Sequence, residues 1–87
     1  MNTATHEPAR VLSDRLAIAR LAVGHTQVSA GAAAGISAKS VQAYELGTQI
    51  PSAEALRRLA VAYRVRSDWL LGLCEQGGPR KPRTAKA

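Results

Sequence analysis

The chain is poor in the residues that staple, ligate or anchor a protein. A single cysteine, Cys74, stands alone, which excludes an intramolecular disulfide and any cysteine-based zinc site. A reduced, cytoplasmic setting is the expectation that follows. No uncharged apolar run approaches the ~18 residues of a membrane span. The opening MNTATHEPAR lacks the charged-then-apolar layout of a signal peptide. Residues 11–23 are Ala- and Arg-rich in the manner of a transit peptide, but Glu7 and Asp14 argue against that reading. His6, His25 and Cys74 have no partners at ligand spacing, so no metal and no cofactor is expected. There is no Ser/His/Asp, Cys/His or paired-carboxylate arrangement and no Gly-rich phosphate loop, so an enzyme is not expected either. Strand signals and internal repeats are missing as well.

Acidic residues are also scarce, six against twelve Lys and Arg, for a net charge of +6. Such a balance suits a polyanionic partner. The charge is uneven: residues 1–76 hold eight basic and six acidic side chains, while Arg80, Lys81, Arg83 and Lys86 give the remainder +4. Eighty-seven residues suffice for one small domain, and a separate ligand-sensing domain is not expected.

What is present is helical periodicity punctuated by caps and stops. Leu12, Leu16 and Ala19 form one stripe of a helix from about Leu12 to Val23, with Gly24 as its stop. Thr26 caps a second helix, Gln27 to Ala34, that Gly35 ends. Ile36 drops toward the core, and Ser37 caps a third helix, Ala38 to Leu46, closed by Gly47. Ser52 caps a fourth helix with Leu56, Leu59, Ala60 and Tyr63 at helical spacing. Ser67 caps a short fifth, Asp68 to Leu73. The expectation is a compact all-α domain over residues 11–74, between a disordered arm (1–10) and a disordered basic tail (75–87). Helices 2 and 3, joined by a Gly-containing turn, carry the helix-turn-helix signature. The second helix of such a unit can lie in the major groove of DNA.

Taken together, residues 12–72 resemble the lambda-repressor-like and Cro-like helix-turn-helix family, also called the xenobiotic-response-element type. The resemblance is carried by Arg15-Leu16, Arg20, Gly24, Thr26-Gln27, Gly35-Ile36-Ser37, Val41, Tyr44-Glu45 and Gly47, and then by Pro51-Ser52, Glu54, Leu56, Leu59-Ala60 and Asp68-Trp69-Leu70-Leu71-Gly72. No single residue is specific, but their joint spacing over some sixty residues is. Two departures stand out. Leu46 occupies a position where the family often has Asn, and Thr48-Gln49-Ile50 is an uncharged loop where relatives commonly place Lys or Arg.

Successive residues of helix 3 turn by ~100°, so Val41, Tyr44 and Glu45 share the inner face while Lys39, Gln42, Ala43 and Leu46 point outward. Ala38 and Ser40 sit near the tip that goes deepest into a groove. Ala38, Lys39, Gln42 and Ala43 are the candidate base readers, by Lys to guanine O6/N7, Gln to adenine N6/N7 and Ala methyl to thymine. Ser37 and Ser40 are candidate phosphate contacts, with Ser37 equally explained as a cap. Gln27 opens helix 2 where backbone N–H groups are free, and the resemblance implies that it touches the DNA backbone. It also implies an ion pair between Arg20 and Glu45 bridging helices 1 and 3, and a small residue at Gly31 where helix 3 passes close.

In similar phage repressor domains the helix 4–5 turn and the start of helix 5 make a dimer. Those positions are Val65, Arg66 and Trp69 here, with plain core an equal reading of Trp69. The function these features imply is a sequence-specific DNA-binding regulator, a repressor acting as a homodimer on a palindromic operator. The alternative is a protein-interaction module such as the antitoxin of a toxin–antitoxin pair. Its partner would be held by a surface containing Ile18 and Leu21 or by the tail, although compositional drift toward Ala, Val, Gly and Arg explains those apolar residues equally.

Overall fold

Short polar residues and glycines set where the helices begin and end. Thr26, Ser37 and Ser52 each accept a hydrogen bond from the backbone N–H three residues on, at 3.0, 3.0 and 3.1 Å. These caps open α2 (Gln27–Ala34), α3 (Ala38–Leu46) and α4 (Ala53–Tyr63); each is worth about 1 kcal/mol. Gly35 and Gly47 close α2 and α3 at φ +75° and +80°, a conformation that strains any residue with a Cβ. Before them runs α1 (Thr3–Ala22), and after them a single-turn α5 (Ser67–Leu70). The computed structural model describes residues 3–79, with side chains from Arg10 onward. Within those residues the chain is an all-α domain of five helices and no strand.

The core joins Leu12, Leu16 and Ala19 of α1 to Ala30 and Ala34 of α2, Val41 of α3, Leu59 and Tyr63 of α4, and Trp69 and Leu70 of α5. Burying each large apolar side chain contributes about 1.5–3 kcal/mol. Ile36, Tyr44 and Leu56 pack against this cluster from its edge. The turn between α2 and α3 is tight because Gly31 allows it. A Cβ there would sit 2.6 Å from the Ile36 carbonyl oxygen and 3.1 Å from the Ala38 nitrogen. Neither atom belongs to a flexible side chain, so the turn itself would have to move. Gly31→Ala is expected to destabilise by about 1–3 kcal/mol, although alanine is the better helix former by about 1 kcal/mol. A urea midpoint that stays or rises in this variant contradicts the packing argument.

The two ends of the domain depart from the sequence expectation. α1 starts at Thr3 and not near Leu12, so residues 3–10 are helical where a disordered arm was expected. Pro8 lies near enough to the helix start to remove just the bond to Ala4, and the Ala residues around it favour helix. Residues 1–2 of that arm lie outside the described residues. At the other end, α5 is shorter than expected and Ser67 is inside it. Arg66 is the N-cap and makes no side-chain cap bond, and Gly72 at φ +79° stops the chain after one turn.

The tail was expected to leave the body at residue 75, yet it folds back as far as Pro79. The Arg66 N–H donates to the Gly77 carbonyl at 2.9 Å. Arg15 donates to the Trp69 carbonyl at 2.7 Å and pairs with Glu75 at 3.0 Å. Gly78 lies flat on the Trp69 indole, where a Cβ would approach Nε1 to 2.7 Å. A backbone bond, an ion pair and a glycine fitted to a ring together offset the polar character that suggests disorder. Residues 80–87 of the expected tail lie outside the described residues.

Candidate nucleic-acid interface

α3 presents two faces. Val41 is buried and Tyr44 packs on the core, which leaves Lys39, Gln42 and Leu46 exposed and Ala38, Ser40 and Ala43 half-buried at the margin. Ser37 caps the helix through the Ser40 N–H, and the two hydroxyls bond each other at 3.0 Å. The proposed readers thus lie along one outer edge, and the two serines mark its N-terminal tip.

A buried charge cluster fixes how that edge is aimed. Arg20 of α1 grips Glu45 of α3 through Nε to Oε2 at 2.7 Å and Nη2 to Oε1 at 3.1 Å. The side chains are 13 % and 8 % exposed. The hydrogen bond to Glu45 raises the Arg20 guanidinium above its ordinary value, against the opposing effect of burial. Arg20 also donates to the His25 carbonyl at 2.9 Å, which ties the α1–α2 turn to the pair. Gln27 joins from α2, donating to Glu45 Oε1 at 3.1 Å. Its amide therefore joins the cluster through one N–H, which leaves the second amide N–H and the backbone N–H of the first turn as donors.

The N-terminus of α2 is itself built firmly. Thr26 and Ser29 form a reciprocal capping box, and His25 Nδ1 lies 2.8 Å from the Ser29 hydroxyl. The N–H groups of the first turn of a helix have no intrahelical partner, and the dipole there favours an anion.

Beneath the charge cluster lies Tyr63, whose phenol is pushed up to about 12 by burial and, secondarily, by the negative charge of Glu45, with Arg20 opposing. A raised folded-state value means full stability below the unfolded value near 10, lost as pH rises through the window to about 12. Thermal midpoints should therefore fall more steeply between pH 10 and about 12 in wild type than in Tyr63→Phe. Parallel curves contradict this coupling.

The expected dimer surface is not open within the protomer. Val65 and Trp69 are each 8 % exposed, and of the three residues only Arg66 reaches solvent. The physical reason is the folded-back segment: Gly78 covers one part of the indole, and the Arg15 guanidinium stacks 4.7 Å from a ring centroid. Ile18 and Leu21, by contrast, are exposed at 51 % and 65 %. Arg15, Glu75 and Gly78 were missed as positioning residues. The only sequence signal near Glu75 and Gly78 is the Gly77-Gly78-Pro79 string, which reads equally well as a chain leaving the domain.

Among the described residues no group of His, Cys, Asp and Glu is arranged to hold a metal, and no helix is long and apolar enough to cross a membrane. No curated protein and no solved structure matches the chain. A family model described as helix-turn-helix does match, over residues 16–70, which is more than half of the sequence and spans the whole of α2, α3 and α4. With its capped α2, tight Gly31 turn and outward-facing α3, the chain belongs to the DNA-binding helix-turn-helix family of the lambda-repressor and Cro type.

Proposed function

We propose that the protein is a sequence-specific transcriptional regulator, a repressor, that acts as a homodimer on an inverted-repeat operator with α3 in the major groove. The observation that carries this reading is the exposed edge of Lys39 and Gln42 on a helix whose aim is held by the Arg20–Glu45–Gln27 cluster. Pre-set orientation matters because a bidentate contact discriminates only when donor and acceptor arrive aligned. Lys39 donates to guanine and Gln42 pairs with adenine, while the methyls of Ala38 and Ala43 can pack on thymine. Gln27, Ser37 and Ser40 contact phosphate, which sets register without reading sequence. The two protomers meet on the side of the molecule where Val65, Arg66 and Trp69 lie, with the folded-back residues 74–79 forming its outer surface.

Selection from random duplex DNA tests this reading. An inverted repeat with half-sites about 34 Å apart on one face supports it. Recovery of salt-sensitive, sequence-blind binding alone overturns it. The exposed Ile18 and Leu21 support a second reading, a protein-interaction module of the antitoxin kind. A copurifying partner that protects those two side chains, together with sequence-blind DNA binding, favours that one.

A further inference from the structure

One cavity of the domain has a chemistry that the DNA-reading edge of α3 does not use. It measures about 360 Å³ and lies between the α1–α2 turn and the end of α4, at the small end of the range for ligand pockets. Ala22, Val23 and Ala62 give it an apolar wall, to which the folded-back segment adds Pro79. The polar side chains that line it are His25, Tyr63 and Arg64.

Each of these three has a polar group to offer. Tyr63 is 1 % exposed, and its hydroxyl has no hydrogen-bond partner among the described residues. Buried polar groups are nearly always paired, and among the described residues no wholly enclosed side-chain N or O lacks a partner. The Tyr63 hydroxyl therefore keeps access to open space, which beside this ring is the cavity. His25 engages the Ser29 hydroxyl through Nδ1 at 2.8 Å, so Nε2 remains. Arg64 takes part in no ion pair among the described residues. It ends α4 at φ +60°, the sole residue other than glycine with a positive φ among those described. Glycine adopts that conformation without strain, so what the position gains from arginine is the side chain.

We propose that this cavity binds a small organic carboxylate, its acid group between Arg64 and His25 Nε2 and its apolar body against Ala22, Val23 and Ala62. The Arg64 guanidinium matches a monoanion, whereas a phosphate dianion would be left half-compensated. A carboxylate that accepts from the His25 Nε2–H fixes the tautomer in which Nδ1 accepts from the Ser29 hydroxyl. That hydroxyl is half of the α2 capping box and accepts from the Thr26 N–H at 2.9 Å. The bound acid thus firms the start of α2, and it acts as an effector that tightens DNA binding. The effector role rests on the DNA-reading role of α3; the binding does not.

The test titrates the full chain with butyrate, benzoate and phenylacetate by NMR, with their primary amides as neutral controls. At least one acid should give saturable shifts at the His25 ring and the Ser29 amide, and its amide should bind about 10-fold more weakly or worse. Arg64→Asn puts in a residue that tolerates the left-handed conformation, and it should erase the difference between acid and amide. Ala22→Phe, at an exposed position on the cavity wall, should block binding while the thermal midpoint stays near that of wild type. No shift from any acid, an equal response to acids and amides, or binding that persists unchanged in both variants overturns the site. With the tightest acid at saturation, wild type should bind its recovered duplex about 5-fold more tightly or better. Unchanged DNA affinity overturns the effector role and leaves the site standing. A wild type without sequence preference overturns the reading by α3 instead, and carboxylate binding still decides the site.

Discussion

Glu45→Ala should unfold at a temperature more than about 12 °C below wild type. Removing one partner of a nearly buried ion pair costs about 3–5 kcal/mol, and a domain of this size loses about 4–8 °C per kcal/mol. The loss is large because Glu45 serves three elements at once. Its carboxylate accepts from Arg20 of α1 and from Gln27 of α2 while belonging to α3 itself. Without it the Arg20 guanidinium keeps its bond to the His25 carbonyl but is otherwise an uncompensated charge with little solvent. Replacing both partners, as in Arg20→Leu with Glu45→Leu, should recover part of the loss, since no unpaired charge then remains. Thermal unfolding of the two singles and the double checks this. Equal midpoints for Glu45→Ala and wild type would show that the cluster does not hold α3 in place.

Gln42→Ala and Lys39→Ala should each flatten one position of the recognised half-site, by about 1–3 kcal/mol of discrimination. Both side chains are exposed, so neither substitution should change the free energy of unfolding by more than about 0.5 kcal/mol. The separation of the two effects is what matters. A core residue such as Val41 would damage stability and binding together, whereas an edge residue should damage binding alone. Lys39 carries one further expectation. If it contacts a base and not a phosphate, its loss should change the preferred base at one position instead of weakening all duplexes alike. Competition titrations with duplexes altered at single positions measure this directly, and a uniform loss across all duplexes would place Lys39 on the backbone.

The centre of this molecule was far more legible in the sequence than its ends. α2 and α3 begin and end at the residues expected because their signals are local: Thr26 and Ser37 cap, and Gly35 and Gly47 stop. The inner face of α3 follows from helical spacing, whereas the Arg20–Glu45 bridge comes only from the resemblance to phage repressors. What escaped depended on contacts between residues far apart in sequence. Nothing local marks Glu75 as the partner of Arg15, or Gly78 as the residue that fits Trp69. The string of glycine and proline there speaks for a loop, and only the tertiary partner decides whether a loop is laid down. Arg64 was equally hidden: it ends α4 at φ +60°, a place where glycine would have given the signal and arginine gives none. α1 extends back to Thr3, ahead of the apolar stripe that marks it in the sequence, because a proline as near a helix start as Pro8 removes little.

The central claim is that the outer edge of α3 reads bases. The measurement that tests it most directly is parallel selection from random duplex DNA with wild type and with the combined Lys39→Ala, Gln42→Ala variant, at one salt concentration. Wild type should return an inverted repeat. The variant should return the same spacing and length with one or two positions per half-site left without preference. The same complete motif from both proteins would contradict the claim, because the sequence would then be read by some other part of the chain.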